Sequence, residues 1–311
     1  MAPKLICPKR RWGKTDLSIP VIPFGTQGFG NLFGPVTTDE AAVLIRRAVD
    51  IGVNHFDCAR CYGNSLAKLG NAIQQGVVAR EEIIISGRVC CHSAGLWGGY
   101  GDGEPDYSCD RVLADIEDQL TILGVNGFDV LLIHDPPNID PTLDSGGTLE
   151  GLEEARARGW VDWVGYGMRP HNFHRQVIES GRVDALLTFN DYNLLHKTAD
   201  EYLLGLAVDR DIGVLNGWSI MRGWLTGAPL ESFVAREQWT QDHERAEKMR
   251  LWCEERGVLL LQVALQFCLR EHRVHGHPIG SLNVEQLEQN VRAAITPIDD
   301  SILDEIQQVG L

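Results

Sequence analysis

Phe128-Asp-Val-Leu-Leu-Ile-His134 is the clearest candidate for a buried strand in this sequence. The continuous apolar run from Val130 to Ile133 is typical of a parallel strand covered on both faces, whereas a half-exposed strand alternates apolar and polar residues. A polar residue, His134, follows the run directly. The stretch therefore predicts an α/β protein with a parallel sheet.

The same unit, a short apolar run followed by an amphipathic stretch, recurs along the chain. The eight strand candidates are residues 21–25, 53–57, 82–86, 128–134, 161–165, 185–189, 213–216 and 278–281. Helices are predicted near residues 38–51, 64–75, 108–123, 146–158, 171–180, 199–210, 242–256 and 284–293. Eight such units predict a closed (β/α)8 TIM barrel, because closure pairs every strand and gives each a covering helix.

The chain is long enough for one such barrel. Its 311 residues contain no Pro/Ser-rich linker, so we expect a single domain over residues 1–311. The segment from Trp12 to Val21 precedes the first barrel strand and is predicted to be a hairpin that closes the barrel floor. A doubly wound sheet is the alternative, but Gly25-Thr-Gln-Gly-Phe-Gly30 lacks the G-x-G-x-x-G spacing followed by a helix.

Charge and composition narrow the classes of function. With 28 Lys+Arg against 43 Asp+Glu the net charge is −15, which argues against a nucleic-acid partner, because counterion release needs a basic stripe. No apolar run of about 18 residues and no signal-peptide core occurs, so we expect a soluble cytoplasmic protein without a membrane partner. Eight irregularly spaced cysteines are expected to be reduced thiols.

Polar residues at the carboxyl ends of the predicted strands are the catalytic candidates, since these ends carry the active site of β/α barrels. Asp57 ends the second strand, with Tyr62 shortly after it, Arg88 follows the third strand, and His134 ends the fourth. Each has a structural alternative: packing for the tyrosine, a buried ion pair for Asp57 and Arg88, and a backbone hydrogen bond for the histidine. Their order on successive strands favours a shared site.

The chain resembles the aldo/keto reductase superfamily. The matching stretches are residues 52–63, 131–135, 192–195, 213–219, 222–227, 262–266 and 280–290. They occur in order over nearly the whole chain. Within the superfamily, the chain most resembles the bacterial branch that includes NAD-linked aldose dehydrogenases.

The resemblance implies hydride transfer between a nicotinamide cofactor and a carbonyl carbon, with Tyr62 as general acid/base. A phenol has a pKa of about 10 and needs a neighbouring cation to act at neutral pH. The family supplies a lysine paired with an aspartate, whereas this chain has Arg88, which keeps the charge but cannot relay a proton. Asp57 could hold Arg88 as a bidentate partner, and His134 could orient the carbonyl oxygen.

The resemblance also implies a set of cofactor contacts. Trp218 would stack under the nicotinamide ring, for which core packing is the alternative, and Ser219 with residues 223–227 would receive the pyrophosphate. The complete set is Asn190, Trp218, Ser219, Gly223, Leu225, Gly280, Ser281, Asn283 and Asn290.

Several of these contacts depart from the family pattern. Gly167 and Met168 stand where the family has Ser-Asn, and Phe189 stands where it has glutamine, although the adjacent Asn190 could substitute. Asn283 replaces the arginine that pairs with the 2′-phosphate of NADP, so NAD is favoured over NADP. Because several contacts are missing together, a barrel without any cofactor stays open as an alternative.

Two groups of thiols are expected at the barrel mouth. Cys58 and Cys61 precede Tyr62, and Cys90-Cys-His92 follows the third strand. Together they could hold a metal, but no second C-x-x-C exists and the spacing matches no standard zinc module. We therefore predict no metal and interpret them as thiols that line a substrate pocket.

A Gly/aromatic insertion, residues 93–108, is expected over the same face. Aromatic rings suit sugars or ring-shaped substrates, and loops over a barrel mouth often act as lids, although the loop could be merely flexible. Trp97 and Tyr100 on this loop, together with Trp224, are the candidate substrate contacts.

Three functions are compatible with the sequence. The first is NAD-dependent oxidation or reduction of a small hydroxylated carbonyl compound, such as an aldose at its anomeric carbon. The second is a non-redox lyase or isomerase that uses Tyr62 and His134 as acid and base on a sugar-like substrate. The third is a catalytically silent binding subunit, against which the joint presence of Asp57, Tyr62 and His134 argues. The oligomeric state stays open.

Overall fold

A hairpin and a curled parallel sheet organise residues 5–89 and 106–310, which the computed structural model describes. The hairpin pairs β1 (Lys9–Arg11) with β2 (Ser18–Pro20) in antiparallel fashion. Seven parallel strands follow in spatial order: β3 (Phe24–Gly25), β4 (His55–Asp57), β5 (Ile84–Val89), β6 (Phe128–His134), β7 (Val161–Gly167), β8 (Ala185–Phe189) and β9 (Gly213–Gly217). The predicted α/β class and seven of the predicted strands are confirmed.

The predicted eighth strand is replaced, among the described residues, by two isolated bridges. Gly276 pairs with Leu215 of β9, and Ile279 pairs with Phe24 of β3, so this segment contacts both edges of the sheet. Pro278 lies between the two bridging residues and has no N–H to donate to a strand ladder. The segment was predicted as a regular strand at residues 278–281, and that prediction is corrected to single bridges at 276 and 279.

Helices follow the strands in sequence and cover the sheet. They are Thr38–Asp50, Ser65–Gln74, Cys109–Leu123, Asp140–Leu143, Thr148–Ala157, His171–Glu179, Thr198–Tyr202, Leu204–Val208, Gln241–Glu255, Leu260–Arg270, Val284–Ile295 and Asp300–Ile306. The helix predicted at 199–210 is divided at Leu203, and Asp140–Leu143, Leu260–Arg270 and Asp300–Ile306 were not predicted. No described helix is long and apolar enough to cross a membrane.

The predicted hairpin is present and closes the amino-terminal end of the sheet. Trp12, in its turn, is fully buried and packs with inward-facing strand residues such as Val130 and Leu215. The adjacent Gly13 has φ of +53°, and a Cβ there would lie 2.2 Å from the backbone nitrogen of Gly213. Only glycine fits this approach, which seals one end of the sheet and leaves the carboxyl ends of the strands for a site.

Candidate active site

The carboxyl ends of three neighbouring strands bring the four catalytic candidates together. Asp57 ends β4, Arg88 lies near the end of β5, His134 ends β6, and Tyr62 lies in the loop that follows β4. All four line one pocket of about 1020 Å³. We call these four residues the tyrosine end of the pocket.

Asp57 and Arg88 form a buried bidentate ion pair. Arg88 Nη1 donates to Asp57 Oδ1 at 2.7 Å and Nη2 donates to Oδ2 at 2.8 Å, while the two side chains are only 2% and 5% exposed. The Ser86 hydroxyl also donates to Asp57 Oδ1 at 2.8 Å, and Arg88 Nη1 donates to the Cys58 carbonyl at 2.8 Å. These bonds hold the guanidinium in one orientation, as the sequence predicted.

The electrostatic balance keeps Arg88 charged. Burial by itself disfavours the guanidinium cation, but the Asp57 carboxylate and smaller contributions from Tyr62 and Cys61 more than offset that cost. The net result is a pKa of Arg88 well above its usual value. Arg88 is therefore a permanent cation beside Tyr62 and does not take part in proton transfer.

The Tyr62 ring has the Arg88 cation and the His134 imidazole as neighbours. The guanidinium carbon is 5.6 Å from the centroid of the tyrosine ring, which is within the range of a cation–π contact. The Tyr62 and His134 rings meet edge to face, with centroids 6.2 Å apart. The loop is fixed by close backbone packing, because a Cβ on Gly30 would lie 2.2 Å from the Tyr62 carbonyl oxygen.

His134 has a polar neighbour at each ring nitrogen. The Cys61 sulfur lies 3.5 Å from Nδ1, and Asp135 Oδ2 lies 3.6 Å from Nε2. If the thiol donates to Nδ1, the neutral imidazole carries its proton on Nε2, from which it can donate to an oxygen of a bound molecule. The side chain is 17% exposed, so such a molecule can reach it from the pocket.

Several predicted cofactor residues line the other part of the same pocket, which we call the tryptophan end: Trp218, Ser219, Gly223, Gly280 and Asn290, with Arg222. Trp218 has φ of +61°, and its ring packs on Phe189 with centroids 5.4 Å apart. The Ser219 hydroxyl donates to Asn216 O at 3.1 Å and lies 2.8 Å from His277 Nδ1. Its only hydroxyl donor is thus engaged inside the protein, and its predicted role at the pyrophosphate stays a prediction.

Four other predicted cofactor residues are not among the described residues that line the pocket. The Asn190 side chain accepts from Asn193 at 3.3 Å, and the Leu225 N–H donates to Ile220 O at 3.2 Å. Ser281 Oγ accepts from Asn290 at 3.2 Å. These contacts give the three residues structural roles, and their predicted roles in cofactor binding stay predictions.

Asn283 has a clear structural role of its own. Its side-chain oxygen accepts from the Gln286 N–H at 2.9 Å and caps the helix Val284–Ile295. An arginine could not make this acceptor bond, because the guanidinium carries donors only. The residue at this position therefore stabilises the helix start and presents no positive charge.

Trp224 is not among the described residues that line the pocket, and the other candidate contacts fall outside the described part of the chain. The Trp224 ring contacts His243, with centroids 3.9 Å apart, and packs against the core. Its role as a substrate contact stays a prediction. Trp97, Tyr100 and the Cys90-Cys-His92 group lie outside the described residues. Within residues 5–89 and 106–310, no group of His, Cys, Asp or Glu could hold a metal ion.

Arg222 is a functional candidate that the sequence interpretation missed. It has φ of +54° and lines the pocket, with its guanidinium carbon 4.9 Å from the Trp218 ring centroid and 5.9 Å from that of Phe33. Among the described pocket-lining residues it is the cation without a carboxylate partner, whereas Arg88 is paired with Asp57. The one indication in the sequence was that Arg222 begins the family-like stretch of residues 222–227. Nothing in the sequence indicated that its side chain lies in the pocket.

The geometry defines a class of protein: an α/β enzyme in which a tyrosine lies beside a buried cation and a histidine at the carboxyl ends of parallel strands. The chain belongs to the aldo/keto reductase family, whose model matches residues 21–310. The predicted family is thus confirmed, and with it the expectation of an oxidoreductase at the level of the family.

Relatives with named activities match nearly the whole chain. L-galactose dehydrogenase of Arabidopsis thaliana is 27% identical, over 95% of this chain and 90% of that protein. Pyridoxal 4-dehydrogenase of Microbacterium luteolum is 27% identical, over 97% of each. An aldo-keto reductase of Bacillus halodurans, solved in its holo form, superposes with a TM-score of 0.80 at 21% identity, over 97% of this chain and 96% of that structure. The structural likeness shows the fold.

Proposed function

We propose that this protein is a NAD(H)-dependent oxidoreductase that acts on a small hydroxylated carbonyl compound, such as an aldose at its anomeric carbon. The observation that carries the proposal is the tyrosine end of the pocket, where Tyr62 lies beside the paired cation Arg88 and His134. The names of the two relatives point the same way, since galactose is an aldose and pyridoxal is a hydroxylated aromatic aldehyde.

The residues present fit a nicotinamide dinucleotide. The pocket of about 1020 Å³ continues from Tyr62 past the flat ring of Trp218 to Gly280 and Asn290. Arg222 supplies a cation of the kind that a pyrophosphate needs in a protein of net charge −15. When bound, the nicotinamide would supply or accept the hydride, and the chain's own residues would handle the proton and the carbonyl oxygen.

Tyr62 would donate its phenolic proton to the carbonyl oxygen during reduction, and its phenolate would take the proton from the alcohol during oxidation. The Arg88 cation, 5.6 Å from the ring centroid, favours the anionic phenolate that the oxidation direction needs. Because the guanidinium does not deprotonate, Arg88 cannot pass on the proton that Tyr62 takes from the alcohol. Only the phenol of Tyr62 exchanges this proton. This differs from a lysine, which can relay a proton.

His134 and Asp57 would position the reacting groups. The Nε2 proton, set by the Cys61 contact at Nδ1, would hydrogen-bond the substrate oxygen and hold it near the Tyr62 hydroxyl. Asp57 would act through Arg88, whose guanidinium it holds with two hydrogen bonds. Neither group needs to change its protonation state during turnover.

We also infer that NAD is preferred over NADP and that the sheet is a closed (β/α)8 barrel. Asn283 caps a helix and carries no charge for a 2′-phosphate, which supports the first inference. The bridges at Gly276 and Ile279 join β9 to β3 through one segment, which supports the second.

Steady-state kinetics tests the proposal. The purified protein is incubated with NAD⁺ or NADP⁺ and a panel of aldoses and aromatic aldehydes, while the formation of reduced cofactor is followed by absorbance. We expect turnover of at least one aldose, with a higher kcat/KM for NAD⁺. Conversion of a sugar without any net change in the cofactor would instead support a lyase or isomerase and overturn the proposal.

A further inference from the structure

The thiol of Cys61 faces the pocket beside an imidazole that can take its proton. Cys61 lies in the loop between β4 and the helix Ser65–Gln74, is 3% exposed, and lines the pocket. Its sulfur is 3.5 Å from Nδ1 of His134. Proton transfer at Tyr62 does not require a thiol at this place.

The surroundings of Cys61 differ from those of the other described cysteines. Burial raises the pKa of Cys58 to about 12, and its thiol donates to the Phe56 carbonyl at 3.7 Å. Cys109 is more exposed, but burial and then the carboxylate of Asp110 raise its pKa. Burial likewise raises the pKa of Cys7, Cys253 and Cys268.

Two features favour nucleophilic chemistry at Cys61. A thiolate is the reactive form of cysteine, and a neighbouring imidazole or cation favours it. His134 is in contact with the sulfur, and Cys61 is close enough to Arg88 to help raise the pKa of that guanidinium. Thus the thiol is in contact with an imidazole and lies in the wall of a cavity.

We propose that Cys61 is a covalent site for small α,β-unsaturated aldehydes and ketones. The thiol proton passes to His134 Nδ1, the sulfur forms a bond to the β-carbon, and the electron pair of the carbon–carbon double bond moves to give an enolate. The enolate then takes the proton back from the imidazolium at its α-carbon. The product is a thioether, and no oxidant or reductant is consumed.

The pocket restricts which electrophiles react. Because Cys61 is only 3% exposed, a reagent must reach the sulfur through the pocket that Tyr62 and His134 also line. A short enone is small enough to enter this pocket of about 1020 Å³. An adduct fills the space in front of the tyrosine and therefore blocks any ligand that must approach it.

Peptide mass spectrometry tests the proposal with methyl vinyl ketone as the probe. The protein, without added cofactor, is treated for increasing times, and the adducts at Cys61 and Cys109 are quantified. We expect Cys61 to react at least about tenfold faster than Cys109, since it alone of the two has a proton acceptor in contact. Equal rates, or a faster reaction at Cys109, overturn the proposal.

Two variants sharpen the result. His134→Gln should lower the rate at Cys61 about tenfold and leave the rate at Cys109 unchanged. Cys61→Ser should abolish the fast phase, whereas Cys109→Ser should keep it. If His134→Gln fails to fold, the rate ratio in the unaltered protein still decides. Because no cofactor is present, failure here is distinct from failure of the proposed hydride transfer.

Discussion

The two ends of the pocket are built in different ways. At the tyrosine end, Asp57 and Arg88 project from strands, are almost fully buried, and satisfy each other through two hydrogen bonds. At the tryptophan end, Trp218 and Arg222 lie on a loop in left-handed backbone conformations, with φ of +61° and +54°, and Arg222 is exposed. The buried ion pair is therefore fixed by the sheet, whereas the position of Arg222 depends on a loop.

The largest expected effect is on chemistry at the tyrosine end. Tyr62→Phe removes the proton donor and keeps the ring in contact with Arg88 and His134, so kcat/KM should fall by about 10³-fold with little change in stability. Kinetics with the best substrate and thermal unfolding measure both. Tyr202→Phe, at an exposed tyrosine, is the control and should leave the kinetics unchanged. Activity of Tyr62→Phe within tenfold of the parent would contradict the assignment.

The buried pair should matter far more for stability than an exposed one. Asp57→Asn leaves the buried Arg88 cation without its counter-ion, so the free energy of unfolding should fall by about 3–5 kcal/mol. The matched control is Asp211→Asn, which breaks the exposed pair with Arg11 and should cost less than about 1 kcal/mol. Urea unfolding measures both, and equal losses would show that the tyrosine end is not held by this pair.

Buried histidines at both ends of the pocket should make the free energy of unfolding depend on pH. His55 lies on the same strand as Asp57, and His277 is in contact with Ser219. Burial lowers the pKa of His55 to about 4 and that of His277 to about 3. The unfolded chain protonates these histidines at higher pH than the folded one does. The free energy of unfolding should therefore fall as pH drops from about 6.5 towards 4, by up to about 1.4 kcal/mol per pH unit for each group.

Urea unfolding over this pH range checks the prediction. His55→Gln should reduce the slope by about the contribution of one histidine, provided that the variant folds. A stability that stays flat between pH 6.5 and 4 would mean that these imidazoles are protonated in the folded protein.

Arg222 offers a test of the tryptophan end alone. Arg222→Ala should raise the Kd for NADH about tenfold, because a charge-assisted contact to the pyrophosphate is lost, and should not affect stability. Arg236→Ala is the matched control, since Arg236 also lies over a tryptophan ring, at 5.1 Å from Trp239, and does not line the described pocket. Equal affinities of both variants would remove Arg222 from the cofactor site.

The smallest effect is expected at Asn283. Asn283→Arg should increase the affinity for NADPH relative to NADH several-fold, and loss of the helix cap should lower the free energy of unfolding by about 1 kcal/mol. Asn283→Asp keeps an acceptor for the cap without adding positive charge, and it should leave NADPH binding weak. Fluorescence titration and urea unfolding separate the two effects, and an unchanged cofactor preference would contradict the placement of this residue.

The sequence predicted the tyrosine end better than the tryptophan end for a physical reason. Asp57 and His134 end apolar runs whose burial fixes the strand, so the direction of each side chain follows from the strand. The direction of Arg222 depends on an unusual φ, and the engagement of Ser219 depends on His277 from a distant segment. Neither the direction of Arg222 nor the hydrogen bond of Ser219 can be predicted from the local sequence pattern.

Two elements of the fold were also predicted wrongly or not at all, because contacts between distant segments determine them. The eighth strand was expected at residues 278–281, but Pro278 interrupts the ladder, and the contacts shift to single bridges at Gly276 and Ile279. The helix Leu260–Arg270 was not predicted, because six of its eleven residues are buried and the surrounding sequence is apolar on more than one face. Tertiary contacts decided both segments.

Direct titration tests whether the pocket binds a nicotinamide dinucleotide beside Tyr62. The purified protein is titrated with NADH and with NADPH while its tryptophan fluorescence is followed, since Trp218 lines the pocket. We expect saturable quenching by both, with a lower Kd for NADH. Absence of binding by either nucleotide at millimolar concentration would contradict this expectation.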